Sequence, residues 1–253
     1  MNIAPLSARV ACKVCGKDAP FFGDVDFAKI DEAVPLRESG VPIAYSRCGN
    51  CEFLFTNAFD AWSTEDYARE IYNEKYAEMD ADFSSARPLE TAQILSGMLA
   101  SRKGSIRMLD YGGGSGAFAR RMNALGFEAY SHDPFFQNEL APREGERFEF
   151  INCREVIEHT GDPHAFARDL LRFLADDGAI FLSTTTQPAN ILQVGLEWGY
   201  VAPRGGHISL FSQKSLTMLW ATYGLSIGFY SENAHLVWRG NPACFSCMTQ
   251  GPP

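Results

Sequence analysis

Ile106-Arg107-Met108-Leu109-Asp110-Tyr111-Gly112-Gly113-Gly114-Ser115-Gly116-Ala117 is the stretch on which the fold turns. A short apolar run ends in Asp110, a dense glycine loop follows, and Phe118-Ala119-Arg120-Arg121-Met122 opens a helical pattern. A buried strand, a tight turn and a helix N-terminus in that order predict a nucleotide-type cofactor site. Glycine lets the backbone come close to a ligand, and the free N–H groups and dipole of the helix start face it. The loop alone does not choose the cofactor. Gly112-x-Gly114-x-x-Ala117 also fits the dinucleotide fingerprint, and Asp133 stands about 20 residues further on, where a ribose-binding acid belongs.

Downstream of the loop the pattern alternates strand and helix, as parallel α/β folds do. Strands are predicted at 107–111, 128–132, 148–153 and 179–184, and helices near 117–125 and 163–174. Asp176-Asp177-Gly178 reads as the turn before the fourth strand. Ser212 caps a further helix over 213–223, and strand-like pieces at 225–230 and 243–249 follow. The span from Asp133 to Phe148 is too short for a full helix and crossover, so one βα unit is truncated.

Upstream, Ser63 before Thr64-Glu65-Asp66 marks a helix start, with Tyr72 and Tyr76 one turn apart on the helix expected to reach about Met79. A second helix is predicted over 88–101, with Leu89, Ile94, Leu95, Met98 and Leu99 on its apolar side. Residues 1–60 are interrupted by Pro and Gly and hold Cys12-x-x-Cys15 and Cys48-x-x-Cys51. Two such knuckles suit structural zinc, each turn presenting two thiolates, and four protein ligands leave no open position for catalysis. Gly16, Gly49 and Asn50 supply the residues that tolerate positive φ in these turns. Cys244 and Cys247 fall in a strand-like segment, where residues three apart face opposite ways; they and Cys153 read as core cysteines. The domains expected are a zinc-binding module (1–60), a helical segment covering the cofactor (61–104) and the cofactor-binding domain (105–253).

A chain of 253 residues accommodates one large α/β domain and a small appendage. A net charge of −9 with no Lys/Arg cluster argues against a nucleic-acid partner. Neither a signal-peptide pattern nor a membrane-length apolar run is present, so a cytoplasmic protein with a small-molecule substrate is expected. Oligomeric state leaves no signature.

Three features weigh against a dinucleotide: Asp110 at the strand end, Glu155-Val156-Ile157-Glu158-His159-Thr160 after the third strand, and the two closing strands. With Ser131-His132-Asp133-Pro134 and Gly206-His207-Ile208-Ser209-Leu210-Phe211-Ser212, this ordered set resembles the class I S-adenosylmethionine (SAM)-dependent methyltransferases over about 105–230. The upstream knuckles and Tyr-rich helix look like the subgroup with an N-terminal zinc module, which includes sugar C-methyltransferases. The resemblance implies a Rossmann-like doubly wound sheet, mostly parallel with an antiparallel C-terminal strand, beside the small zinc module. It implies that the backbone of Gly112, Gly113, Gly114 and Gly116 lies against the methionine and ribose of SAM. Asp110 would then sit near the ammonium, Asp133 would accept the ribose hydroxyls, and Pro134 and Phe135 would wall the adenine. The bland readings are that Asp110 caps the next helix and that Asp133 is a solvated turn residue.

A base is needed only where the nucleophile must lose a proton early. Of five histidines, His207 and His159 follow strand ends and are the catalytic candidates; each also suits a bracing role. Glu158 reads as solvated, while Trp198, Tyr200 and Arg204 suit a sugar or anionic group as well as a packed loop. His235 and Arg239 are weaker candidates for the mouth of the site. The reading is a SAM-dependent methyltransferase acting on a small molecule, with a sugar or nucleotide-sugar as the acceptor class. The alternatives are an NAD-type oxidoreductase and a catalytically silent SAM-binding or zinc-mediated interaction protein.

Overall fold

A computed structural model describes residues 3, 9–30, 37–73, 86–136 and 138–240. Cys244, Cys247, Tyr76 and the strand expected at 243–249 lie outside them. The chain forms two compact units and passes between them repeatedly. Residues 1–80, 157–166 and 184–219 make the first; 81–156, 167–183 and 220–253 make the second.

The first unit is built on an antiparallel sheet. It contains β1 (Arg9–Ala11), β2 (Asp18–Asp26), β3 (Pro42–Arg47), β4 (Leu54–Phe55) and, from far along the chain, β9 (Ser209–Leu210). Leu54 pairs with Leu210 and Phe55 with Ser209. This pairing explains why 184–219 group with the N-terminal residues, although chain order alone placed them with the cofactor domain. Ile43, Tyr45, Leu54, Phe59, Val201 and Leu210 form its core. Helix α1 (Thr64–Glu70) starts at Ser63 in a full capping box: Ser63 Oγ accepts from Asp66 N–H and Asp66 accepts from Ser63 N–H.

The second unit holds a six-stranded sheet. Its strands are β5 (Arg107–Tyr111), β6 (Glu128–His132), β7 (Phe148–Arg154), β8 (Leu174–Ser183), β10 (Ser226–Phe229) and β11 (His235–Trp238), in the spatial order β10-β11-β8-β7-β5-β6. The four from β8 to β6 are parallel, β11 runs antiparallel to β8, and β10 runs antiparallel to β11. Parallel strands are covered on both faces and read as apolar runs, as Met108-Leu109 and Phe150-Ile151 do. Helix α2 (Ala86–Met98) and helix α3 (Ala117–Ala124) share a core in which Ala92, Leu95 and Leu99 meet Phe118 and Met122. The buried stripe on α2 is therefore phased on Ala92 and Leu95 and continues into Leu99 just past its end. Leu89, Ile94 and Met98, expected to face inward, are exposed.

Helix α4 (Pro163–Phe173) runs directly into β8. Asp176-Asp177-Gly178 is accordingly not a turn. Leu174 already pairs with Phe148, and the register shifts before Phe150 pairs with Ala179. The excess residues are absorbed as an irregularity in the strand, which local composition cannot distinguish from a turn. Between β6 and β7 the described residues contain no helix, the truncated unit that the spacing demanded. A four-residue α5 (Ile191–Val194) and α6 (Gln213–Ala221) complete the helices, the latter capped by Ser212 Oγ accepting from Ser215 N–H at 3.1 Å. No helix among the described residues is long and apolar enough to cross a membrane.

Phe150 has no exposed surface, and the rigid sheet around it can collapse only partly onto a void. Phe150→Ala is expected to lower unfolding stability by about 3–5 kcal/mol, read by denaturant titration.

Candidate active site

The second unit places the glycine loop at the C-terminal end of β5. Gly112, Gly114 and Gly116 take φ of 76°, 53° and 81°. Gly113 matters for a different reason. A β-carbon on it would lie 2.4 Å from Asp110 Oδ2 and 2.5 Å from Ser131 Oγ, so only glycine lets the backbone pass over that carboxylate. Asp110 is buried and accepts from Asn152 Nδ2 at 2.6 Å, its register partner across the β5–β7 ladder. Helix α3 has no side-chain cap, which removes the capping role considered for Asp110. Burial pushes the Asp110 carboxyl up to about 7; the Asn152 bond opposes this and the Asp133 charge reinforces it. Asn152 Oδ1 is buried with no hydrogen-bond partner among the described residues.

Asp133, at the end of β6, is held by two backbone amides: Gly114 N–H donates to Oδ2 at 2.9 Å and Phe135 N–H to Oδ1 at 2.8 Å. It is a fixed carboxylate, not a freely solvated one. The cleft beside the loop encloses about 660 Å³ including its open mouth. Asp110, Gly112, Gly113 and Gly114 line it with Asn152, and Arg87, Thr91, Phe136, Arg154 and Glu155 are among the residues of its other walls. Gly116, Asp133 and Pro134 are outside the lining, and Phe136 lines it where Phe135 does not. Arg154 donates to Thr91 Oγ1 and, at 3.5 Å, to the Arg87 carbonyl. Asn152, Arg154 and Thr91 escaped the sequence reading because no motif spacing joins them; their places on β7 and α2 do.

The first unit brings the histidine candidates together. Ile208 N–H donates to Glu158 O at 3.0 Å and Ser209 Oγ to Thr160 O at 2.6 Å, tying segment 158–160 to segment 207–209. Gly206, at φ 86°, lets the chains close: a β-carbon there would stand 2.8 Å from His159 Nδ1. The His159 and His207 rings consequently lie 5.0 Å apart between centroids, and Tyr72 approaches His159 at 6.1 Å. Burial, followed by the neighbouring His207, lowers the His159 pKa to about 3. His207 Nδ1 lies 3.1 Å from the Tyr200 carbonyl. Glu158, expected to be solvated, is fully buried and accepts from the Tyr200 hydroxyl at 2.7 Å. Arg204 is buried too, donating to Ile71 O and Asn73 Oδ1, contacts that brace its loop. His235 is enclosed within the sheet on β11, and Arg239 pairs with Asp176 at 3.7 Å.

The profile of a methyltransferase-domain family matches residues 83–227. The chain belongs to this family. Its fold is the α/β fold of the class I SAM-dependent methyltransferases, and the dinucleotide alternative gives way. A ubiquinone biosynthesis O-methyltransferase of Parvibaculum lavamentivorans is 32% identical over 129 residues, 40% of this chain and 51% of that protein. A namesake from Glaesserella parasuis is 30% identical over 82 residues, 30% of this chain and 35% of that protein. The chain thus spans about half or less of these relatives. A solved O-methyltransferase family protein from Burkholderia thailandensis superposes with a TM-score of 0.50 at 14% identity, covering 72% of this chain and 64% of that one.

The methyltransferase also gathers Cys12, Cys15, Cys48 and Cys51, whose Sγ atoms all lie within 4.8 Å of one another. The nearest pairs are Cys12–Cys51 at 3.4 Å and Cys15–Cys48 at 3.5 Å, far longer than a disulfide. Val14 N–H and Asn50 Nδ2 point at sulfur, at 3.4 and 3.5 Å. The left-handed residues of the two turns are Gly16 and Glu52, each directly after the second cysteine. Gly49 and Asn50 were the residues expected in the second turn; the position is set by knuckle geometry, which holds even a glutamate at φ 67°.

Gly113→Ala is expected to cost about 1–3 kcal/mol, because overpacking against Asp110 and Ser131 must displace the loop. Adding Ser131→Ala should recover only part of it, since the Asp110 contact persists; chemical denaturation reads both.

Proposed function

We propose that this methyltransferase transfers a methyl group from SAM to a hydroxyl of a small molecule. The observation that carries the reading is one constellation: a buried acid beneath a glycine loop, with a second, backbone-fixed acid beside that loop. When bound, SAM supplies an electrophilic methyl on a sulfonium, open to in-line attack. The residues present fit the donor. Asp110 and Asn152 Oδ1, which has no hydrogen-bond partner among the described residues, are acceptors suited to an ammonium, which only donates. Each Asp133 oxygen accepts one amide and keeps a second lone pair, so the carboxylate can accept a ribose diol without reorganising. Among the described residues, no atom beyond Gly114 and its chain neighbours lies within 4 Å of where a Gly114 β-carbon would be, leaving open space above the loop backbone.

The hydroxyl acceptor rests on the relatives, which are named O-methyltransferases. A sugar or nucleotide-sugar is the second acceptor class, supported by the Trp198–Tyr200 ring pair at 5.4 Å. His207 and His159 are the proposed proton-handling residues when their imidazoles carry no metal ion. The four cysteines are proposed to hold one structural zinc: the donor set is all thiolate, closed, and backed by N–H···S contacts.

Three outcomes are expected. S-adenosylhomocysteine should raise the melting temperature and NAD should not; the reverse would overturn the reading. Gly114→Val should abolish that shift in a folded protein.

The second concerns pH. A bound ammonium favours ionised Asp110, so binding below about pH 7 releases a proton. Affinity for S-adenosylhomocysteine should rise from about pH 6 to 8 and then level, and Asp110→Asn should flatten the profile in calorimetry. In the unliganded protein the sign is opposite. A folded pKa above the unfolded value means that stability falls as pH rises from about 4 to about 7.

The third concerns metal. Elemental analysis should find about one tightly held zinc per chain, lost in Cys48→Ser with a fall in stability.

A further inference from the structure

We propose that Glu158, His159 and His207 form a second metal site, for an exchangeable divalent cation of the first transition row. It is separate from the four cysteines. It uses first-unit residues alone and does not depend on the methyl donor. One donor atom from each of the three residues lies within 4.8 Å of the others. Ligands about 2.0–2.2 Å from one ion stand up to roughly 4.4 Å apart, so a small side-chain adjustment closes the set.

The surroundings are arranged as ligand supports. The Tyr200 carbonyl opposite His207 Nδ1, at 3.1 Å, calls for N–H there and so puts the imidazole lone pair on Nε2. The Tyr200 hydroxyl donates to Glu158 Oε1 at 2.7 Å and turns that carboxylate. One residue thereby orients two of the three ligands, as the outer-shell partners of metal sites do. The Tyr45 hydroxyl bonds the His207 carbonyl at 2.9 Å, and Ile208 N–H bonds the Glu158 carbonyl. The backbone is thus set before any ion arrives.

Two imidazoles and one carboxylate favour Mn²⁺, Fe²⁺, Co²⁺ or Zn²⁺ over Ca²⁺. Three protein ligands leave positions open, unlike the closed thiolate set. The class of ligand suited to those positions is a small oxygen donor, water or a hydroxyl.

The test is a Mn²⁺ titration of the full-length protein, followed by electron paramagnetic resonance. Thiolate sites select zinc over this harder ion, so the cysteines do not compete. About one saturable Mn²⁺ per chain is expected, with imidazole nitrogen couplings in pulsed spectra of the unmodified protein. His207→Ala and Glu158→Gln should each weaken binding at least about tenfold, and Tyr200→Phe about tenfold. Zinc content and the S-adenosylhomocysteine shift should be unchanged, showing that the variants fold. Absence of saturable binding, absence of nitrogen couplings, or affinity that responds only to Cys48→Ser would overturn the site. Because S-adenosylhomocysteine binding is read separately, failure of the metal site and failure of the methyl-donor reading are distinguishable.

Discussion

The hydrogen bond from Asn152 Nδ2 to Asp110 Oδ1 joins two strand ends at the point where the second unit turns from scaffold to site. It links register partners on parallel strands, so it depends on the sheet being assembled and in turn holds the carboxylate in place. Everything in the loop follows from that buried acid. Gly113 has no side chain because the carboxylate occupies the space, and Ser131 on the next strand closes the other side. Asp133 then ties the loop back to β6 through Gly114. Placing an acid in the sheet raises its pKa, and that cost is what makes the position responsive to a cationic ligand.

The first unit solves a different problem. Its sheet gains its last edge strand only because Leu54 and Phe55 pair with residues more than 150 positions later. The same return of the chain lays segment 207–209 against 158–160, so the contact that completes the sheet also assembles the histidine pair. The knuckles cross-brace the N-terminal end, where the Ser212 hydroxyl donates to Cys51 O at 3.1 Å. Fold closure and side-chain chemistry are here the same set of contacts.

Local signals were legible wherever one physical cause dominated. Strands β5 and β6 were readable to the residue because apolar runs bounded by glycine and polar turns leave little choice. The Ser63 and Ser212 caps were readable because a hydroxyl before an acid or serine satisfies orphan amides locally. The phase of α2 was not readable. Its sequence carries apolar residues on more than one face, and only packing against Phe118 and Met122 selects Ala92, Leu95 and Leu99. The run Asp176-Asp177-Gly178 has turn composition yet lies in a strand, because its pairing partner, not its own propensity, decides.

The amino-acid sequence by itself determined the βα alternation, the glycine loop between two acids, and the four-cysteine set, since each is written in residue type and short spacing. Tertiary structure alone decided that Asn152 meets Asp110, that Glu158 is buried and not solvated, and that His159 faces His207. Those pairings join residues 42 to 48 positions apart across ladders and loop contacts, distances over which no local periodicity carries information. Burial, which sets the charge state of such groups, is a property of the packed chain and not of any residue in it.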